Sequence, residues 1–240
     1  MDTFPEALPH GPIEEVFRDV FFVTGEMRTT FPEFPDVPWV FNRNMTIVRE
    51  GTSLTLINSV RLNDQGLADL DGLGEVEHLV RIGALHTRDD AFYVDRYHPT
   101  YWVMRGIEPE GLSVDKHLVP GGETPFSGCM VFEFTTTAKP EGVLVVDRAG
   151  GIAIACDALQ NWVKPDEFFT DETVELMGSL GFWQPANIGP LFAMRNDPKA
   201  EDYARLLEIP FRHALCGHGE PLRDSAHEDF ASTVDRAYAS

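Results

Sequence analysis

Two hydrophobic periods divide the chain. In its first two thirds, short apolar runs are bounded by turn residues. Met45–Val48 and Leu54–Ile57 flank Glu50-Gly51-Thr52, and Val143–Val146 and Ile152–Ala155 flank Arg148-Ala149-Gly150-Gly151; each pair predicts a β-hairpin. Cys129–Phe134 predicts a further strand, and Leu79–Ile82 a buried strand whose C-terminal end delivers His86. Helical spacing dominates the last third. Thr170-Asp171-Glu172 reads as an N-cap and acidic first turn ahead of Val174, Met177 and Leu180, with Gly181 as the stop. Asp197-Pro198 opens a second helix carrying Tyr203, Leu206 and Leu207 and ended by Pro210, and Ser225-x-x-Glu228 reads as a capping box before Phe230, Val234 and Tyr238. A short helix over Asp89–Tyr97 is stopped by Pro99, and a last strand lies near Phe211–Leu215. The Pro-rich segments 1–15 and 31–38 read as ordered loops or edge segments, because Pro cannot donate to a ladder. Strands, a helix, more strands, then helices alternating with a final strand fit a layered α/β sandwich (α+β by some schemes). We read it as one domain over 1–240 with 1–15 as an N-terminal extension.

Composition narrows the partners. Acidic residues outnumber basic ones 39 to 19, a net charge of -20. Such a surface repels phosphate backbones and anionic lipid heads, so neither nucleic acid nor membrane is expected. The charge reads first as solubility, with some carboxylates as an alternative cation site; the partner expected on other grounds is a small-molecule substrate or ligand. No apolar run is long enough to cross a bilayer. The N-terminus has no basic region followed by an apolar core, and Cys129, Cys156 and Cys216 are odd in number without C-x-x-C spacing. They read as free thiols in a reducing compartment, so the cytoplasm is the expected location. A homodimer stays open.

Three strand ends carry residues that can bind a metal: His86 to Asp90, Asp157 after Ile152–Cys156, and His218 within Cys216-Gly217-His218-Gly219. A hydrolytic metal site needs two to four His or carboxylate ligands converging from distant strands. An Asp at a helix start is often only a cap, and one at a strand end often only a turn residue. A His between glycines is harder to dismiss.

His86-Thr87-Arg88-Asp89-Asp90-Ala91 resembles the His-x-His-x-Asp-His signature of the metallo-β-lactamase-fold hydrolases, with Arg88 in place of the second His and Ala91 in place of the last. The order of the three strand ends is similar to that superfamily over roughly residues 16 to 240. The resemblance implies a four-layer αββα sandwich, Asp157 as the carboxylate that bridges two metals, and His218 as the final ligand. The family's middle ligand would fall in Pro120-Gly121-Gly122-Glu123, where Gly122 stands for His and Glu123 is the nearest substitute. The first metal would keep only His86. The second would keep Asp90, Asp157 and His218.

The ligand set implied is therefore His86, Asp90, Asp157 and His218, for at most one divalent ion (Zn, Fe or Mn) or none. Arg88 would replace the charge of the missing metal, orienting Asp90 and Asp157 or an anionic substrate, so Asp90 and Arg88 are the catalytic candidates. Two functions follow. One is a hydrolase-like protein with a single metal in a degenerate site; the other is a metal-free pseudoenzyme serving as a ligand-binding or interaction module. A dimeric structural protein is a third reading. Cys216 shares strand parity with His218 and would be the thiol nearest the site, although both it and Cys156 read first as small buried hydrophobes. Trp39, Trp102, Trp162 and Trp183 are candidate pocket walls that read first as packing. His98 and His117 read as surface or core residues. Ser113-x-x-Lys116 lacks the companion motifs of the serine β-lactamases.

Overall fold

A computed structural model describes residues 4–239; the first three residues of the expected N-terminal extension, and residue 240, lie outside the described residues. Among the described residues, seven strands form one sheet in sequence order: β1 (Glu14–Phe17), β2 (Val20–Phe31), β3 (Phe34–Glu50), β4 (Ser53–Ile57), β5 (Glu75–Arg81), β6 (Thr100–Met104) and β7 (Lys116–Leu118). The first four pair antiparallel, as successive hairpins do. From β4 onward pairing is parallel, with α1 (Asp64–Leu73) and α2 (Asp90–Tyr97) as the crossovers. The buried residues of both helices, Leu67, Leu70, Phe92 and Tyr93, pack into the main core with the strands of this sheet.

The second sheet contains β8 (Cys129–Glu133), β9 (Gly142–Val146), β10 (Ile152–Ile154) and β13 (His213–Leu215), in the order β13-β10-β9-β8. Its side chains alternate between two cores, as period-two geometry requires. Leu144, Val146, Ile152 and Ile154 join the core shared with the large sheet. Val143, Val145 and Ala153 join a second core with Phe192, Tyr203, Leu206 and Phe230. Those four belong to α4 (Pro190–Asn196), α5 (Ala200–Leu206) and α6 (Ala226–Ala237). The layers therefore run helix, sheet, sheet, helix. A third, aromatic core joins Trp39 and Phe41 of β3 to Trp162, Phe182 and Met177 of α3 (Asp171–Ser179). A short pair, β11 (Leu159–Gln160) with β12 (Asn187–Ile188), lies after β10 in the chain.

Both expected hairpins form, with Thr46 opposite Ile57 and Val145 opposite Ala153. Thr170 caps α3 by accepting from the Thr173 amide, and Gly181 leaves it at φ +80°. Three local expectations are corrected. Segment 31–38 lies mostly in β2 and β3, whose register slips between Thr29 and Phe31 where Pro35 and Pro38 interrupt the ladder. Asp197 does not open a helix: it ends α4 in the left-handed region at φ 46°, and α5 starts at Ala200. Ser225 makes no cap bond; its hydroxyl donates to Asp229 instead (2.6 Å). No helix among the described residues is long and apolar enough to cross a membrane.

The two sheets are tied together at one end. The Gly142 amide donates to the Ile82 carbonyl (2.8 Å), beside an isolated bridge between Gly83 and Glu141. Asn44, buried on β3, donates through Nδ2 to the carbonyls of Cys216 (3.0 Å) and Gly219 (2.7 Å), and its amide reaches Gly217 (2.8 Å). Asn58 donates to the Ala155 carbonyl (3.2 Å). Replacing Asn44 by Ala strands two buried carbonyls, so it is expected to lower stability by about 1–3 kcal/mol. Urea denaturation should show the midpoint falling at an unchanged slope.

Candidate active site

Parallel pairing sets Ile154 beside Leu215, so the loops that leave β10 and β13 run side by side and carry Asp157 and His218 to the same place. The loop after β5 reaches that place from the other sheet and brings His86. Glycines make the approach possible. A Cβ on Gly217 would lie 3.1 Å from the His86 ring and 3.0 Å from the Cys156 carbonyl oxygen, and one on Gly83 would lie 2.4 Å from Cys156 Sγ. Gly219, at φ +87°, turns the chain away against the backbone of Asn161.

Three side chains meet there. Asp157 Oδ1 lies 3.0 Å from His218 Nε2 and 3.6 Å from His86 Nε2, and the two Nε2 atoms are 3.2 Å apart. His218 Nδ1 faces the Asn42 carbonyl oxygen at 3.1 Å. A carbonyl only accepts, so Nδ1 donates to it, and Nε2 is left facing the carboxylate. Burial would push the Asp157 carboxyl up, but His86 and His218, by charge and hydrogen bond, outweigh it and hold it well below the usual carboxylate range. Burial pushes the His86 imidazole down, against the pull of Asp157. Buried Glu141 accepts the amides of Asp157 (2.6 Å) and Ala158 (2.9 Å), which fixes the turn that bears Asp157. Its burial, and the nearby charge of Asp157, push its own carboxyl well up.

The other residues anticipated for the site lie elsewhere. Asp90, the first residue of α2, is completely enclosed: Ser59 Oγ donates to it at 2.6 Å, Tyr101 Oη at 2.7 Å, and Arg81 stands 3.9 Å away. Burial raises its carboxyl above the usual range, and those three partners only partly offset that. Arg88 does not approach Asp90 or Asp157. It donates to Asp89 (2.7 Å) and to the Glu6 carbonyl (2.7 Å), pinning the N-terminal segment. Arg88 and Asp89 turn toward each other before the helix begins, while Asp90, its first residue, turns into the core between Ser59 and Tyr101. Glu123 forms an exposed ion pair with Lys116, not a ligand position. The thiol close to His86 and Asp157 is Cys156; Cys216 packs into the helix-side core. Burial keeps the Cys156 thiol well above its usual range, hence protonated.

The triangle forms the floor of a cleft of about 600 Å³. Trp39, Phe41, Trp162 and Phe182 wall it, the Trp162 ring lying 4.6 Å from that of His218. Trp102 and Trp183 instead hydrogen-bond His78 and the Val174 carbonyl. One further floor residue escaped the sequence reading. Arg43 on β3 is buried, lines the cleft beside His86 and Asp157, and bonds Asp89. Its signal was present: Asn42, Arg43 and Asn44 are polar residues in a strand that is buried from Trp39 to Val48 apart from half-buried Val40.

No family model matches the chain, and no curated protein matches it. Solved structures do. The DIM-1 metallo-β-lactamase exposed to ceftazidime is 12% identical, with 97% of this chain and 100% of that one covered at a TM-score of 0.60. FIM-1 from Pseudomonas aeruginosa, in its mono-zinc form, is also 12% identical, with 97% and 98% covered and a TM-score of 0.60. A metallo-β-lactamase from Hirschia baltica is 14% identical, with 93% and 98% covered and a TM-score of 0.56. The protein therefore has the metallo-β-lactamase fold, the αββα sandwich that the strand-end motifs implied. At these identities the likeness is one of fold.

Asp90 and Asp157 should separate experimentally. Asp90→Ala leaves the Ser59 and Tyr101 hydroxyls without their acceptor, so a loss of about 1–3 kcal/mol is expected in chemical denaturation. Metal titration of the same variant should match wild type.

Proposed function

We propose that the protein is hydrolase-like and uses one divalent ion, held by His86, Asp157 and His218. The observation that carries this reading is the shape of the triangle, with edges of 3.0, 3.2 and 3.6 Å. Three ligands on a tetrahedral ion with bonds of about 2.0–2.1 Å stand about 3.3 Å apart, so the residues fit such an ion with one position left open. Two imidazoles and a carboxylate suit zinc, iron or manganese. His218 already turns Nε2 to the site, its Nδ1 held by the Asn42 carbonyl. FIM-1, with the same fold, is described in a mono-zinc form, so a single-ion state occurs on this scaffold.

A bound ion supplies Lewis acidity and makes water nucleophilic at neutral pH. The chain supplies the rest. Asp157 and His218 hold the ion, Glu141 fixes the turn of Asp157, and the aromatic walls exclude water from an apolar substrate. Asp90 and Arg88 leave the proposed catalytic set and act on the loop itself.

A second reading keeps the cleft and drops the metal. It is favoured by the direct contact of His218 with Asp157, in which a proton takes the place of the ion. Metal content decides between the two. Protein prepared without a tag or chelator is expected to carry one ion per chain, measured by plasma mass spectrometry. Asp157→Ala and His218→Ala should lose it, and Arg88→Ala should keep it. Protein that carries no metal and takes up none on titration with zinc, iron(II) or manganese would establish the binding module instead. Hydrolysis is then sought among lactams, lactones, thioesters and phosphoesters.

A further inference from the structure

The charge of the cleft is the reverse of the charge of the chain. Over the whole sequence acidic residues outnumber basic ones two to one, 39 to 19. Among the residues that line the cleft the balance is Arg43, Lys139 and Arg195 against Asp157 and Glu33. The pairings sharpen this. Arg195 is neutralised at the rim by Glu33, which it grips with Nε (2.8 Å) and Nη2 (2.6 Å). Asp157 is covered by the two imidazoles. On the floor, Arg43 shares its carboxylate partner among the described residues: Asp89 also takes Arg88 at 2.7 Å, leaving two guanidinium groups on one carboxylate. The Arg43 side chain is 4% exposed, and among the described residues its buried Nε has no partner. Arg43 nonetheless lines the cleft, so the part of its guanidinium that Asp89 does not take can receive a further acceptor there.

The walls above Arg43 are apolar and aromatic. Trp39 packs edge-on to Phe41 (6.2 Å), Phe41 to Trp162 (6.0 Å), and Trp162 lies tilted against Phe182 (5.5 Å). Such walls stabilise flat or bulky apolar groups by area and by ring stacking. We propose that the cleft selects organic anions in which a carboxylate, sulfonate or phosphonate end is joined to an aromatic or bulky apolar body, and that Arg43 is the residue that holds the anion. This rests on reading the cleft as the ligand site, and it stands with or without a metal. Arg43 thus supplies the fixed positive charge that the sequence reading assigned to Arg88.

The test uses full-length protein dialysed against a chelator, so that no ion contributes to anion binding. Tryptophan fluorescence, with Trp39 and Trp162 in the wall, is followed on titration with benzenephosphonate, benzyl alcohol, benzylammonium and inorganic phosphate. Benzenephosphonate should bind about tenfold or more tighter than benzyl alcohol or phosphate, with benzylammonium weakest. Arg43→Met should abolish the preference for the anion and leave benzyl alcohol within about twofold, while Arg43→Lys keeps part of it. Where Arg43→Met fails to fold because Asp89 is left bare, the wild-type order and Arg43→Lys carry the test. Benzylammonium binding at least as well as the phosphonate, as the net charge of the chain would dictate, overturns the proposal. So does an anion preference undiminished in Arg43→Lys and Arg43→Met. A failed metal assay alone leaves these titrations untouched, so the two readings fail separately.

Discussion

Two imidazole nitrogens and a carboxylate oxygen meet within 3.6 Å on a buried floor, and their lone pairs repel unless a shared proton or a metal ion lies among them. Everything around the triangle follows from delivering these groups and keeping them there. Parallel pairing of β10 with β13 fixes the separation of Asp157 and His218. The ties from Gly83, Asn44 and Asn58 hold the sheets in register, so that His86 arrives from the opposite layer. The Asn42 carbonyl then orients His218, and Glu141 clasps the amides beneath Asp157.

The loop that carries His86 is held by its charged residues. Its acidic and basic residues serve structure. Asp90 is enclosed by Ser59, Tyr101 and Arg81, and Asp89 by Arg43, Arg88 and the Arg61 amide. A buried carboxylate without partners would be costly, so each acid acquires a full set of donors. Of these arginines, Arg43 lines the cleft. Arg88 faces the N-terminal segment and Arg43 faces the ligand space, although both bond one carboxylate.

Much of this was legible. His218 between glycines and Asp157 at a strand end could be picked out because close backbone packing and strand termini leave marks in the residues themselves. The hairpins were legible from period-two runs and turn glycines. Other features were not. Asp197-Pro198 carries a good helix-start signal, but Pro190 starts an earlier helix that needs Asp197 as its end. Segment 31–38 looks like a loop because of its prolines, and a register slip lets the long hairpin absorb them. Helix α1 has an N-cap in Asn63, yet its buried positions reduce to Gly66, Leu67 and Leu70, too few to declare a period.

The sequence by itself determined the layered fold and the three strand ends at which chemistry would gather, because hydrophobic period, turn glycines and ligand-type residues are properties of short segments. Which charged side chains share a space was decided only by the tertiary structure. Arg43 and Asp89, 46 positions apart, are brought into contact by the sheet. Local order along the chain therefore named Arg88 as the cation of the site, and packing between layers gave that place to Arg43.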